Sequence, residues 1–304
     1  MIIITGATGN LGGRIVARLL ERVPAAAIGV SVRDEAKATG LTAKGVRVRE
    51  GDFTRPATLE KSLEGADQVL VVSAAIRGGG AFEANSAAID AAVAAGASRI
   101  LYTSHQAASA TSLFPPQRVH AATEEYLAQQ GIPFVALRNG FYANALGIHL
   151  DSALSTGKIT IPEDGPVSWT AHEDLAEVAA VALTEPDAIS GTSPPLTASA
   201  ALDLGDVARV LTRLTERTIT RVTIGDDEWK AAAIARGLPP MVADFSLGMF
   251  QAARRGEFSV VNPTLETTIA HPPLPVEHTL QQLLGRRDRS AAGQNRAVPH
   301  RPNR

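Results

Sequence analysis

The sequence predicts an α/β protein with a doubly wound parallel sheet and a smaller C-terminal α/β lobe. Over the first 140 residues, short β-branched runs alternate with alanine-rich amphipathic stretches, which is the order of a strand–helix repeat. The strands are continuously apolar, as expected when helices cover both faces of the sheet. After Arg138 the alternation breaks, and glycine and proline become frequent between residues 157 and 166. These three observations predict the fold class.

The predicted elements of the first part follow from its apolar runs. The predicted strands cover residues 2–5, 28–32, 46–49, 68–72, 100–103 and 134–138, and the predicted helices cover 11–21, 58–63, 84–95 and 120–130. Gly65, Gly96 and Gly131 follow three of these helices. Glycine is the usual residue at the left-handed turn that ends a helix. We therefore expect short connections at these positions.

The second part is predicted to be a small lobe without a linker of its own. Thr170 and Glu173 have the spacing of a capping box, which predicts a helix that runs through Leu183. A helix over 204–214, a strand over 219–224 and two or three further helices are expected after it. The last segment, 286–304, is rich in arginine and nearly free of apolar residues. Such a composition predicts a disordered basic tail.

The composition excludes several classes of function. Hydrophobic residues make up 45% of the 304 residues, charged residues 20%, and the net charge is −2. This balance predicts a cytoplasmic globular protein that binds neither nucleic acid nor a membrane, as a monomer or a homodimer. Cysteine is absent and the seven histidines lack the spacing of a helical metal pair. The sequence therefore predicts no metal site.

A glycine-rich turn stands between the first strand and the first helix. Gly6, Gly9 and Gly12 form it together with Thr8, Asn10 and Leu11. Such a turn lets the backbone approach a pyrophosphate and directs the N–H groups and dipole of the helix at its negative charge. The strand before it and the helix after it make a dinucleotide-binding, Rossmann-type domain the best interpretation of residues 1–140.

The end of the second strand favours NADP(H) over NAD(H). An NAD site usually has an acidic residue there to bind the ribose hydroxyls. In this chain Arg33 occupies that place and Lys37 follows one turn later, and two cations suit a 2′-phosphate. Asp34 has two possible roles, either capping the short helix that follows or reaching the ribose. We prefer the capping role.

Several motifs together resemble the NmrA-like, atypical short-chain dehydrogenase/reductase family over residues 1–285. They are the turn from Thr5 to Gly12, Val32-Arg33-Asp34, Tyr102-Thr103-Ser104, His120 with Glu124, the run from Leu137 to Tyr142, Trp169-Thr170 with Glu173-Asp174-Leu175-Ala176, Gly237-Leu238-Pro239 and Arg255-Gly256-Glu257. The resemblance implies that residues 1–140 bind NADP(H), that parts of 141–190 return to this domain, and that 141–285 form most of a substrate lobe.

The resemblance also implies which residues line the two parts of the site. The cofactor would contact Gly6, Thr8, Gly9, Asn10, Leu11, Gly12, Arg33, Lys37, Asp52, Phe53, Ser73, Ala74, Thr103, His120, Asn139, Gly140 and Phe141. A small-molecule acceptor would lie near Phe114, Phe141, Tyr142, Trp169 and Thr170.

The acid pair of ordinary short-chain dehydrogenases is missing. These enzymes use a tyrosine followed four residues later by a lysine, whereas this chain has Pro116 and His120 at those positions. A quinone-like or other conjugated acceptor needs little help from a positioned acid, because its reduced form is a delocalised anion. His120 and Tyr142 are the candidate catalytic residues, and Tyr102 is expected to belong to the core. The alternatives are a non-catalytic redox sensor and a carbonyl or enone reductase.

Overall fold

The structure is a computed structural model that describes residues 1–76 and 79–296. Its first part contains the strands β1 (Ile2–Thr5), β2 (Ile28–Val32), β3 (Arg47–Glu50), β4 (Gln68–Val71), β5 (Arg99–His105) and β6 (Phe134–Asn139). The helices between them are α1 (Asn10–Leu20), α2 (Thr39–Thr42), α3 (Pro56–Leu63), α4 (Ala81–Ala94) and α5 (Pro115–Ala128). All six predicted strands are present, and β1 and β2 have the predicted bounds.

The second part alternates short strands with helices. Its strands are β7 (Phe141–Tyr142), β8 (Lys158–Ile161), β9 (Trp169–Thr170), β10 (Gly191–Thr192) and β11 (Thr220–Thr223). Its helices are α6 (Gly147–Thr156), α7 (His172–Thr184), α8 (Leu204–Thr215), α9 (Asp226–Ala235), α10 (Pro240–Arg254), α11 (Thr264–Ile269) and α12 (Val276–Arg296). Within the described ranges, none of these helices has the length and apolar character needed to span a membrane.

The central sheet of the described chain has seven strands in the order β10-β6-β5-β4-β1-β2-β3, and all of its strand pairs are parallel. The winding reverses between β1 and β4, where a crevice opens at the carboxyl ends of the strands. The predicted doubly wound α/β fold is confirmed. The predicted glycines Gly65, Gly96 and Gly131 have φ angles of +76°, +78° and +71°, as left-handed helix ends require.

Helices cover both faces of this sheet. On one face, Ile15 and Leu19 of α1 pack with Leu175 and Val178 of α7 over the central strands. On the other face, α3, α4 and α5 bury a second cluster that includes Tyr102. A third cluster, with Phe250 and Phe258, fills the C-terminal lobe around β8 and β11. Helix α7 therefore belongs to the sheet domain although it comes late in the chain.

Arg99 fastens the start of β5 to the segment that follows α7. Its guanidinium donates to the carbonyl oxygens of Ala182 at 2.7 Å, Ile189 at 2.9 Å and Pro186 at 3.2 Å. The side chain is 9% exposed. The hydrogen bond to Ala182 satisfies a carbonyl that the last turn of α7 leaves without a partner, and the other two satisfy carbonyls of the loop that follows. They also fix the connection between α7 and β10, the next strand of the sheet.

The predicted capping box at Thr170 is wrong. The residue that precedes α7 is Ala171, and no side chain caps this helix. Thr170 lies in β9 instead, where its hydroxyl donates to the Ser168 carbonyl and accepts from the Ala198 N–H. The Glu173 carboxylate binds Arg14 of α1 and Gln282 of α12, not the N–H of Thr170. Tertiary partners have replaced the local cap.

The predicted disordered tail is wrong for residues 286–296, because α12 continues through them to Arg296. Arginine, alanine and glutamine favour a helix, and no proline interrupts the chain before Pro299. Residues 297–304, the rest of the predicted tail, lie outside the described residues.

We expect Arg99→Met to lower the free energy of unfolding by about 2–4 kcal/mol, because three carbonyls lose a charged donor in a buried position. Urea denaturation followed by circular dichroism measures this change. Arg217→Met is the matched control at an exposed position, and it should change the free energy by less than about 0.5 kcal/mol. Equal effects of the two variants would contradict the role of Arg99.

Candidate functional site

The glycine turn is compact and its shape depends on the absence of side chains. Gly6 has a φ angle of +61°, and its carbonyl accepts the N–H of Gly9 at 2.9 Å. A Cβ atom on Gly12 would lie 2.4 Å from that same carbonyl oxygen, so α1 can approach β1 this closely only with glycine there. The predicted turn therefore has the geometry of a phosphate-binding loop.

The start of α1 offers unpaired N–H groups. No side chain caps this helix, and within the described residues the N–H groups of Asn10, Leu11 and Gly12 have no acceptor. Thr8 and Asn10 are exposed beside them. The Leu11 side chain is buried in the core, so only its backbone is available to a ligand. This cradle of free donors fits the pyrophosphate of a dinucleotide.

At the end of β2, one of the two predicted cationic side chains is available to bind a ligand. Asp34 accepts the Ala36 N–H at 3.0 Å, so the capping role preferred for this residue is the one observed. Lys37 stands 3.6 Å from the Asp34 carboxylate, and both are exposed. Arg33 is exposed and forms no ion pair within the described residues. Arg33 is therefore free to bind a phosphate at the place where an NAD site would have an acid.

The predicted adenine contacts lie in a tight turn after β3. The Asp52 carboxylate accepts the N–H of Thr54 at 2.9 Å and its hydroxyl at 2.8 Å. These two hydrogen bonds lower the pKa of Asp52. Phe53 packs partly against the cluster under α3 and α4. Asp52 thus shapes this turn, and its contact with adenine stays a prediction.

The carboxyl ends of β4 and β5 meet beside the glycine turn. The Thr103 hydroxyl accepts the N–H of Ser73 at 2.8 Å and donates to the Ser73 hydroxyl at 3.3 Å. The Ala74 N–H donates to the amide oxygen of Asn85 at 2.8 Å. Hydrogen bonds therefore join Ser73 after β4 to Thr103 of β5, and Asn85 holds Ala74 beside them.

His120 is joined to Tyr102, a contact that the sequence did not predict. The Tyr102 hydroxyl lies 2.8 Å from Nδ1 of His120 and 3.2 Å from the amide nitrogen of Asn85. Tyr102 is fully buried, which agrees with the expected core position, but its hydroxyl also reaches the candidate catalytic histidine. Burial lowers the pKa of His120 to about 4, so its imidazole is neutral near pH 7.

His105 is a second residue that sequence reasoning missed. Its ring lies 6.1 Å from that of His120, 5.3 Å from that of Phe141 and 5.8 Å from that of Phe258. Burial and the neighbouring His120 hold the pKa of His105 well below its usual value. A lone histidine at the end of a strand carried no signal in the sequence, because the aromatic partners come from distant segments.

An apolar cavity of about 600 Å³ opens at this edge, between the sheet domain and α10. Ser73, Ala74 and His120 of the predicted site line it together with Asn85 and Pro116. The other lining side chains are mostly apolar and include Ile76, Leu113 and Met241, which are 36%, 39% and 68% exposed. The sequence did not predict Ile76, Leu113 or Met241, since only the folded chain brings them to one place.

The predicted acceptor residues lie beside this cavity rather than in its lining. Phe114, Phe141 and Trp169 pack edge to face or stacked in an aromatic core and are at most 9% exposed. Thr170 is fully buried, and a Cβ atom on Gly140 would lie 2.0 Å from its hydroxyl oxygen. Gly140 also donates its N–H to the Leu196 carbonyl. The structure thus gives Gly140 and Thr170 a packing role.

Tyr142 does not line the cavity that His120 lines. Its ring centre is 4.5 Å from that of His172, and it packs partly against the cluster that contains Ala7 and Leu11. Burial raises the pKa of its hydroxyl, which makes it a poor acid. Asn139 is buried before it, with an amide oxygen that has no partner within the described residues. This oxygen is an open hydrogen-bond acceptor.

Known NAD(P)H-binding proteins resemble this chain over most of its length. A family model described as NAD(P)H-binding matches residues 6–186. Quinone oxidoreductase 2 of Escherichia coli is 32% identical over 284 residues, which cover 93% of this chain and 98% of that protein. The crystal structure of that enzyme complexed with NADPH superposes with a TM-score of 0.87 and covers 93% of this chain and 100% of its own.

Two further relatives are named as an azoreductase and a triphenylmethane reductase. The NAD(P)H azoreductase of Xenophilus azovorans is 30% identical over 246 residues, which cover 80% of this chain and 84% of that protein. The triphenylmethane reductase of Citrobacter sp., solved with NADP(H), is 29% identical, covers 93% of this chain and 100% of its own, and superposes with a TM-score of 0.84. This chain belongs to the NAD(P)H-binding, NmrA-like family of oxidoreductases.

Proposed function

We propose that this protein is an NADPH-dependent oxidoreductase that transfers hydride to a quinone-like or other conjugated organic acceptor. The observation that carries the proposal is the apolar cavity that joins the carboxyl edge of the sheet to α10, with His120 in its wall. Ligands bind at this edge in open α/β sheets, because the loops there surround the reversal of strand order. The cavity offers a flat apolar molecule a place beside a dinucleotide.

NADPH, when bound, supplies the hydride. The free N–H groups of α1 would hold its pyrophosphate, and Arg33 would pair with the 2′-phosphate, since it has no other charged partner within the described residues. The open amide oxygen of Asn139 would accept a hydrogen bond from the nicotinamide amide group. Residues 1–140 thus bind the cofactor, and most of the acceptor contacts come from α5 and α10.

The polar groups of the cavity suit an acceptor that needs no strong acid. Pro116 occupies the position of the usual tyrosine, and His120 is neutral. Reduction of a quinone-like molecule produces an anion whose charge is spread over a ring, so a hydrogen-bond donor is sufficient to stabilise it. The quinone, azo and triphenylmethane compounds in the names of the relatives share this conjugated character.

The first test is a steady-state assay of NADPH oxidation with a panel of quinones, azo dyes and triphenylmethane dyes. We expect turnover with at least one of them. Tight NADP(H) binding without turnover of any acceptor would contradict the enzyme and favour the redox sensor. Turnover limited to isolated carbonyls or enones would favour the third alternative.

Gly9→Val should abolish binding of NADPH and NADH while the protein stays folded. The φ angle of Gly9 is −81°, which valine tolerates, but the added side chain would fill the phosphate cradle. Isothermal titration measures the binding, and circular dichroism measures the fold. Gly225→Val is the matched control, because Gly225 also precedes a helix and has open space around it. Retained cofactor binding in Gly9→Val would contradict the assigned cradle.

Arg33→Glu should raise the Kd of NADPH by about 10- to 100-fold and change the Kd of NADH much less. The expected loss is about 1.5–3 kcal/mol for a charge-assisted hydrogen bond to phosphate. Lys44→Glu makes the same change of charge at another exposed position and should leave both constants within about twofold. Equal weakening of NADPH and NADH would show that Arg33 does not contact the 2′-phosphate.

Met241→Glu should raise the KM of the acceptor by about 5- to 10-fold with no change in the Kd of NADPH. The substitution places a charge at the apolar mouth of the cavity, where contact with the acceptor contributes about 1 kcal/mol. Ile148→Glu is the control, since Ile148 is 73% exposed and does not line the cavity. An unchanged KM in Met241→Glu would show that α10 does not contact the acceptor.

A further inference from the structure

A chain of hydrogen bonds runs from the backbone at the end of β4 to the ring of His120. Its members are the Ala74 N–H, the Asn85 side chain, the Tyr102 hydroxyl and the His120 imidazole. Asn85 and Tyr102 are at most 1% exposed, so water does not compete for these bonds. The backbone N–H at the start of the chain can only donate. The donor and the acceptor of each later hydrogen bond can therefore be assigned in turn, starting from this N–H.

The orientation of the Asn85 amide is fixed at two points. The Ala74 N–H can only donate, so the atom 2.8 Å from it is the Asn85 oxygen. The Asn85 nitrogen then faces Thr123 at 3.4 Å and Tyr102 at 3.2 Å. Thr123 donates its own proton to the Val119 carbonyl at 2.8 Å, which leaves its oxygen as an acceptor. Both ends of the amide therefore require the same orientation.

This orientation determines the direction of the next bond. The Asn85 nitrogen donates to the Tyr102 oxygen, so the Tyr102 hydroxyl accepts on this side and directs its own proton to another partner. The shortest hydrogen bond of this hydroxyl within the described residues is the one to Nδ1 of His120 at 2.8 Å, and the Tyr102 proton is assigned to it. Burial raises the pKa of Tyr102, which keeps this proton on the hydroxyl. Nδ1 of His120 is thus an acceptor. A neutral imidazole that accepts at Nδ1 carries its hydrogen on Nε2.

We infer that Asn85 and Tyr102 are positioning residues that hold His120 as the neutral Nε2–H tautomer, which donates a hydrogen bond to a carbonyl oxygen of the acceptor. Within the described residues, no group forms a hydrogen bond with Nε2, and His120 lines the apolar cavity. The inference rests on the proposed function for the identity of the ligand. The assigned tautomer depends only on contacts within the protein and not on the identity of that ligand.

The step balances without transfer of the His120 proton. Hydride from the nicotinamide forms a C–H bond on the quinone-like acceptor, and the electron pair of a double bond moves to the acceptor oxygen. NADP⁺ and a delocalised oxyanion result, and solvent then supplies one proton. His120 keeps its hydrogen and strengthens its bond to the oxygen as negative charge develops. A neutral donor in a largely apolar pocket can stabilise charge of this kind.

The tautomer can be measured directly by nitrogen NMR on the full chain labelled with ¹⁵N-histidine. The chemical shifts of the two ring nitrogens distinguish the Nε2–H from the Nδ1–H form, and His120→Asn identifies the signals of His120. We expect the Nε2–H form near pH 7, with and without NADP⁺. Observation of the Nδ1–H form would overturn the inference, whatever the activity of the protein.

The kinetic test compares Tyr102→Phe with Tyr126→Phe. Tyr126 lies on the same helix as His120, but its hydroxyl binds Asp90 outside the cavity. With NADPH and 1,4-benzoquinone, Tyr102→Phe should lower kcat about 10-fold, because His120 loses the partner that fixes its ring. The Kd of NADP⁺ should stay within about twofold. Tyr126→Phe should leave both constants unchanged.

The two measurements separate failure of the inference from failure of the proposed function. Unchanged kcat in Tyr102→Phe would show that the hydrogen bond does not position His120. A weakened Kd of NADP⁺ at constant kcat would show that Nε2 donates to a ribose hydroxyl and would overturn the assignment to the acceptor. If no acceptor is turned over but the Nε2–H form is observed, the proposed function fails and the tautomer stands.

Discussion

Two threonine hydroxyls at the carboxyl edge of the sheet determine where the site opens. Thr5 ends β1 and Thr103 lies near the end of β5, and each hydroxyl accepts a backbone N–H of the segment that follows β4, Val72 at 2.9 Å and Ser73 at 2.8 Å. These bonds satisfy the backbone where the ladder of β4 stops. The chain after β4 can therefore leave the sheet without unpaired groups, and the crevice forms at the reversal of strand order.

Ion pairs fix the positions of two helices, α1 and α5, at the same edge of the sheet. The Glu124 carboxylate of α5 accepts two hydrogen bonds from the Arg138 guanidinium, at 2.9 and 2.7 Å, and one from the Ser104 hydroxyl at 2.5 Å. These bonds attach α5 to β5 and β6 one helical turn after His120. Arg14 of α1 binds Glu173 of α7. The helix that carries His120 and the helix that begins at the glycine turn are thus both fixed to the sheet, as a site that aligns two ligands requires.

The sequence predicted the features that depend on local geometry. The strand before Gly6 and the helix after it are recognisable within a few residues, and so is the cap at Asp34. It did not predict features that depend on distant partners. Thr170 has the spacing of a helix cap but binds Ser168 and Ala198, and Tyr102 looks like a core residue although its hydroxyl meets α5. The periodicity of apolar residues identifies the buried face of an element, but it does not show which buried polar atoms form hydrogen bonds with each other.

The missing acid pair and the half-buried, neutral His120 have one physical explanation. A tyrosine–lysine pair is useful when the product alkoxide is localised and must be protonated at once. A cavity lined by Leu113, Val119 and Met241 would penalise such charges, and burial there lowers the pKa of His120 to about 4. A neutral donor avoids that penalty and still responds to developing charge. An acceptor whose reduced form delocalises its charge would place the smallest demand on such a pocket, which supports the proposed function.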